Sequence, residues 1–374
     1  MPMQTEREKQ ILQINRQAMD LLGDLDNMDK VKALLGENCK ANPCLLTLNN
    51  YAYYLLEAVY GDGSSIFGRG EKRKLRAGEK LLRRCLEWDG DNDRALSQLG
   101  NSMLWAGRYR AAAGYLARAV ARRDTPQRRY NLGVAQYMAG RYALAAEQFA
   151  YLEALLPQRK GLREDREGLC GLFNTVEAPP LHAYYILSLY FSGERERAMR
   201  AFDGLKREKK RGTDTLIGCM PELFPVCALA GDYASLEKKI CGELRMDGGL
   251  YNVIGDLLPD GGRAGLKKKI CRRMQREEEL YHVKDYAILG LCRAQARHPQ
   301  QYDKLRTLIQ EATVRKTGWA AFAARRLRLG RNLPRLCAPQ YMGELGIYRE
   351  CHYYGCPRHD KGEDLDREAL LRPM

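Results

Sequence analysis

The chain has 374 residues, 45% of them hydrophobic and 29% charged, and 62 Lys and Arg against 47 Asp and Glu leave a formal charge of +15. That apolar share suffices for a continuous core. No run of 18 apolar residues exists, which argues against a membrane span, and MPMQTEREKQILQINRQ at the start lacks the apolar centre of a signal peptide. A cytoplasmic protein is expected. Leu, Ala, Arg and Glu are abundant while Val and Pro are sparse, so the expected class is all-α. Of the twelve cysteines, Cys85, Cys227, Cys241, Cys271 and Cys292 fall inside amphipathic patterns, where cysteine serves as a small buried hydrophobe. Their scatter does not form a compact disulfide framework, and reduced thiols are expected. The positive charge has two readings: attraction of acidic partners, or plain solvation of helix faces.

In chain order, 5–22 and 27–38 read as two amphipathic helices, with Ile11, Ile14, Ala18, Leu21 and Leu22 on one stripe of the first. Asp24, Asp26 and Asp29 between them lack the glycine and distal glutamate of a calcium loop. Pro43 opens a further helix that ends at Gly61, and 77–92 reads as its partner. Between them GDGSSIFGRGEKRK is an insertion rather than a tight turn. Gly63, Gly68 and Arg69 only loosely imitate a phosphate loop, because arginine replaces lysine, Gly70 replaces the hydroxyl, and a helix precedes it.

From Asn92 to Pro157 one pattern is written twice. Leu99-Gly100 returns as Leu132-Gly133, Gly107-Arg108-Tyr109 as Gly140-Arg141-Tyr142, Ala112 as Ala145 and Leu116 as Phe149, each displaced by 33 residues. Small residues at matching places let two helices approach closely, and Gly-Arg-Tyr marks the turn between them. A unit this short must stack on neighbours to bury its apolar face. The pattern resembles the tetratricopeptide repeat, with departures: Asp124 stands where the family prefers proline, and Leu96 and Arg129 where it prefers tryptophan. The resemblance implies a right-handed α-solenoid of helix-turn-helix units and a generic binding scaffold.

Gly140 and Gly193 are 53 residues apart, so 158–177 is a second insertion. The array resumes with Gly193, Ala198 and Phe202 at turn, small and aromatic positions, and a weaker copy carries Gly231 and Tyr233. The expected organisation is a helical cap over 1–43, about five repeats over 44–245, a helical extension or diverged repeats over 246–332, and a Cys- and Tyr-bearing, partly irregular tail over 333–374. The last fourteen residues are expected to be loosely held.

Enzyme signatures are absent: no HExxH, no GxSxG, no phosphate loop in strand context and no dinucleotide fingerprint. His182, His282 and His298 have no carboxylate or nucleophile partner evident in sequence. Cofactors are expected to be none, apart from one zinc candidate formed by Cys337, Cys351, Cys356 and His359. The competing reading is a Tyr-rich tail that packs its aromatics against the last helices, with the cysteines incidental.

In the family, the first helix of each repeat lines a concave groove. Carried onto this chain, its inward positions are Asn50 and Tyr53, then Gln98, Asn101 and Trp105, then Tyr130, Asn131 and Tyr137, then Tyr184 and Tyr190. Amides bond both donors and acceptors of an extended backbone, and aromatic rings supply rigid apolar contact. Asn101 and Asn131 match the asparagines of a carboxylate clamp, but Ser97, Pro180 and Tyr184 replace its basic members. The expected function is a non-enzymatic scaffold or adaptor that grips a protein or peptide segment, acidic segments being favoured by charge. The alternatives are nucleic-acid binding by basic stretches at 206–211, 267–276 and 325–335, or a peptide-sensing regulator.

Overall fold

The computed structural model describes residues 5–22, 25–60, 69–155, 179–209, 223–231, 288, 292, 295, 332–341, 344–345, 347–348, 350–356 and 366–373. Residues 61–68 of the insertion expected at 61–70, all of the insertion at 158–177, most of the extension over 246–332, and His359 lie outside these residues.

The chain is all-α, its helices packing on their neighbours in sequence as in an α-solenoid of helical repeats. Helix α1 (Glu6–Asp20) starts on a capping box, Thr5 Oγ1 accepting from Glu8 N while Glu8 accepts from Thr5 N. A 3₁₀ turn (Leu25–Asn27) leads to α2 (Met28–Ala41), then come α3 (Leu45–Tyr60) and α4 (Arg69–Trp88). Helix α4 begins earlier than the hydrophobic periodicity indicates and ends earlier too. The chain turns over Asp89–Asn92, and Asn92 caps α5 (Asp93–Trp105) by accepting from Ala95 N at 3.0 Å.

Helices α6 (Tyr109–Arg122), α7 (Pro126–Met138), α8 (Tyr142–Leu155), α9 (Pro179–Phe191), α10 (Arg195–Lys209) and α11 (Phe224–Leu229) follow. The sequence repeat is visible in the backbone. Gly107, Gly140, Gly193 and Gly231 all have positive φ, between 75° and 100°. At the first three, the glycine N–H and the next N–H bond back to successive carbonyls of the preceding helix, as in Gly107 N to Leu104 O and Arg108 N to Met103 O. Only glycine takes this left-handed turn cheaply, so the turn glycine is the repeat's most legible letter.

Leu96 is fully buried. Arg129 and Asp124 bond each other through two parallel hydrogen bonds of 2.6 and 2.7 Å.

The described residues fall into two compact units. The first comprises those of Met1–Ala135 and Ile347–Met374, the second those of Gln136–Pro157 and Val176–Gly346. The first unit's core joins Ile11, Leu45, Leu48, Leu82 and Leu99 to Tyr354, Leu370 and Leu371 from the far end of the sequence. The last fourteen residues are therefore not all loosely held: α13 (Arg367–Leu371) packs on α3, and Arg7 Nη1 donates to Leu371 O at 3.2 Å. Charge dominates that stretch, and two adjacent leucines were enough to anchor it.

In the second unit Phe149 stacks on Tyr184 at 5.3 Å, and Tyr137 meets Tyr184 edge-on. There a short helix α12 (Leu333–Leu336) precedes an antiparallel pair of two-residue strands, β1 (Gln340–Tyr341) and β2 (Glu344–Leu345). No helix among the described residues is long and apolar enough to cross a membrane.

Candidate functional site

Helices α3, α5 and α7 each open a repeat, and each turns polar side chains to one side of the first unit. These side chains are bonded into an amide ladder. Gln98 Nε2 donates to Asn49 Oδ1 at 2.7 Å, Asn49 Nδ2 to Asn50 Oδ1 at 3.1 Å, and Asn131 Nδ2 to Asn101 Oδ1 at 2.9 Å. Asn50 Nδ2 also reaches Asn15 Oδ1 of α1 at 2.7 Å. All of these amides are buried.

Asn15, Asn49, Asn50 and Asn131 also bond backbone of the chain's own residues 348–354. Asn131 takes both backbone groups of Tyr348, donating to its carbonyl at 2.7 Å and accepting from its N–H at 2.8 Å. Asn50 does the same to Tyr354, at 2.9 and 2.8 Å. In each case one carboxamide spans the N–H and C=O of a single residue, and Tyr354 stands in the turn whose next residue, Gly355, has a positive φ of 74°. Between these two clamps the carbonyl of Glu350 accepts from Tyr53 Oη at 2.8 Å. That of His352 accepts from Asn49 Nδ2 at 2.6 Å, and that of Tyr353 from Arg94 Nη1 at 2.7 Å.

The segment's side chains are held as well. Glu350 accepts from Arg128 Nε at 2.7 Å and from the Thr125 hydroxyl, and Arg128 Nη1 reaches Asp93 at 2.7 Å. The Arg128 side chain is only 3% exposed. Burial alone would lower its pKa, but the carboxylates of Glu350 and Asp93 outweigh it and raise the value above that of ordinary arginine. Tyr348 meets Tyr130 edge-on at 4.7 Å. Tyr353 donates to Glu57 at 3.1 Å, and the Arg94 guanidinium lies 4.3 Å from the centre of the Tyr354 ring. The Tyr354 hydroxyl meets Asn92, so the cap of α5 also positions the segment. Burial pushes the Tyr348 phenol up to about 12 and those of Tyr353 and Tyr354 well above 10, so all three stay neutral.

His352 is not satisfied in this way. It is 2% exposed, meets Tyr53 edge-on at 5.4 Å, and its Nε2 has no hydrogen-bond partner among the described residues. Gln98 Oε1 and Ser97 Oγ are in the same position.

Of the residues assigned to a single groove from the sequence, Asn50, Tyr53, Gln98, Asn101, Trp105, Tyr130 and Asn131 belong to the first unit. Trp105 packs against the apolar core beside this face. Tyr137, Tyr184 and Tyr190 belong to the second unit, where Tyr137 donates to Pro334 O at 2.6 Å and Tyr184 to Pro339 O at 3.2 Å. The Arg195 guanidinium lies over the Tyr190 ring at 5.2 Å.

Tyr348, Tyr353 and Tyr354 of the Tyr-rich tail pack on the first repeats, while nearly all of the helices expected over 246–332 lie outside the described residues. Sequence reasoning missed Asn15, Asn92 and Arg128 as contributors, and missed the segment itself. Its three tyrosines and one glutamate within residues 348–354 were the available signal. Sequence order gave no hint that residues some three hundred positions apart would meet.

Of the zinc candidates, Cys337 lies in the second unit and Cys351 and Cys356 in the first. Burial, with Cys356 close by, pushes the Cys351 thiol up to about 12. No group of three or more metal-ligating side chains occurs among the described residues. His182 does have a carboxylate neighbour that sequence did not reveal, Glu153 at 2.5 Å from its Nδ1. The basic stretches at 210–211, 267–276 and 325–331 lie outside the described residues.

Compared with family models and with curated proteins, the chain matches none.

Proposed function

We propose that the chain is a non-enzymatic interaction scaffold of tetratricopeptide type whose α3–α5–α7 face binds an extended segment of a partner protein. The supporting observation is the pair of carboxamide clamps, in which Asn50 and Asn131 each hold both backbone groups of one residue, six positions apart. Contacts of this kind recognise an extended backbone whatever its sequence, and so suit capture of a peptide. The turn glycines and the stacked helix pairs support the tetratricopeptide assignment. Buried thiols at Cys39, Cys44 and Cys85 favour a reducing compartment, and on that ground we place the protein in the cytoplasm.

The test keeps the whole chain. A protease site introduced at Gly346 is cut, and a fluorescent peptide of residues 347–356 is offered to the nicked protein. The peptide is expected to exchange into the face, and Asn50→Ala or Asn131→Ala to weaken it about tenfold through lost hydrogen bonds. Failure of the peptide to enter even at roughly millimolar concentration, the range of a tethered competitor, would end this reading.

A further inference from the structure

We propose that the α3–α5–α7 face selects a partner segment of defined chemistry, an aromatic residue followed two positions later by a carboxylate and then by an aromatic pair, and that residues 348–354 are its tethered competitor. The inference rests on the scaffold reading above and adds what the partner must carry.

The backbone clamps fix direction and register without choosing side chains. Choice falls to Arg128. Its buried guanidinium sits between Asp93 and Glu350, with the Ala119 and Arg123 carbonyls at 3.5 and 3.3 Å. Without a carboxylate at the Glu350 position, a fully desolvated cation keeps one counter-ion, and the Thr125 hydroxyl loses its acceptor. A segment lacking an acid two residues after its first aromatic is therefore disfavoured. The aromatic positions are set by Tyr130 at one end, and by Glu57, Asn92 and Arg94 at the other.

The chain's own segment meets each of these requirements but fits badly at His352. There a buried imidazole nitrogen has no hydrogen-bond partner among the described residues, and the positive charges of Arg128, Arg94 and Arg123 act against its protonation. An orphaned polar atom weakens the internal occupant, so a partner with an apolar side chain at that position displaces it. The +15 charge of the chain favours a partner whose segment is acidic.

Fluorescent peptides of residues 346–356 carrying His352→Phe are titrated into the full-length chain and into the full-length Glu350→Gln variant, whose own tail is weakened. Circular dichroism checks that the variant remains helical. Binding is expected in both, tighter by about tenfold in the variant, because its competitor has lost a charge-assisted contact. A peptide carrying Glu350→Gln as well is expected to bind at least about tenfold more weakly than the His352→Phe peptide. Equal binding of the two peptides overturns the selectivity while leaving the scaffold reading intact. No binding by any peptide to either protein overturns both. Conversion of either protein to a stable dimer that excludes peptide makes a second copy the occupant and overturns the proposal.

Discussion

His352 concentrates the chemistry of the site in one side chain. Burial, and after it the guanidiniums of Arg128, Arg94 and Arg123, hold its imidazole well below the ordinary 6.5. In the released segment the same imidazole takes a proton near its usual value. The released state therefore binds more protons, and the stability of the docked segment, full above about pH 6.5, is lost as pH falls below it. The slope approaches about 1.4 kcal/mol per pH unit for one proton. Urea midpoints measured at pH 7.5 and 5.5 should drop on acidification, and His352→Phe should remove much of that drop while raising stability at pH 7.5 by about 1 kcal/mol. An unchanged pH dependence in His352→Phe would assign the effect to other groups.

At the scale of the helix pair, Gly100 is where the repeat pattern turns into contact. A Cβ there would lie 2.5 Å from Leu116 Cγ and 3.3 Å from the Leu116 backbone nitrogen, on a side chain that is itself fully buried in α6. The backbone cannot yield as a flexible side chain tip would. Gly100→Ala is expected to destabilise by about 1–3 kcal/mol. Gly114, an exposed residue of α6 with nothing within 4 Å of its would-be Cβ, provides the control. Gly114→Ala should be neutral or stabilising by up to about 1 kcal/mol from helix propensity alone. Chemical denaturation of the two variants separates packing from propensity, and a stable Gly100→Ala would show that the helices can move apart.

Across the first unit, the two ends of the sequence share one core. Leu371 is 3% exposed and Leu370 8%, and both pack with Ile11 and Leu45. Leu371→Ala is expected to cost about 2–4 kcal/mol, as for a buried leucine elsewhere. Because α13 anchors the chain beyond the segment, the same substitution should also speed hydrogen exchange at the Tyr348 and Tyr354 amides, which Asn131 and Asn50 protect. Exchange at those two amides that ignores Leu371→Ala would show that the clamps hold the segment without the terminal helix.

Helical class, the repeat and its turn glycines could be read from the sequence, because each depends on residues within one or two turns of one another. The asparagines and tyrosines of α3, α5 and α7 were legible too, as side chains suited to an extended backbone. Their occupant was not. Asn50 and Tyr354 stand 304 positions apart, and no local periodicity encodes which distant strand of chain will saturate a given carboxamide. Nor could spacing show that Arg128, one basic residue among 62 Lys and Arg, would be buried between two carboxylates. The tertiary structure decided both, since a buried charge and a buried amide tolerate only partners that arrive with complementary geometry.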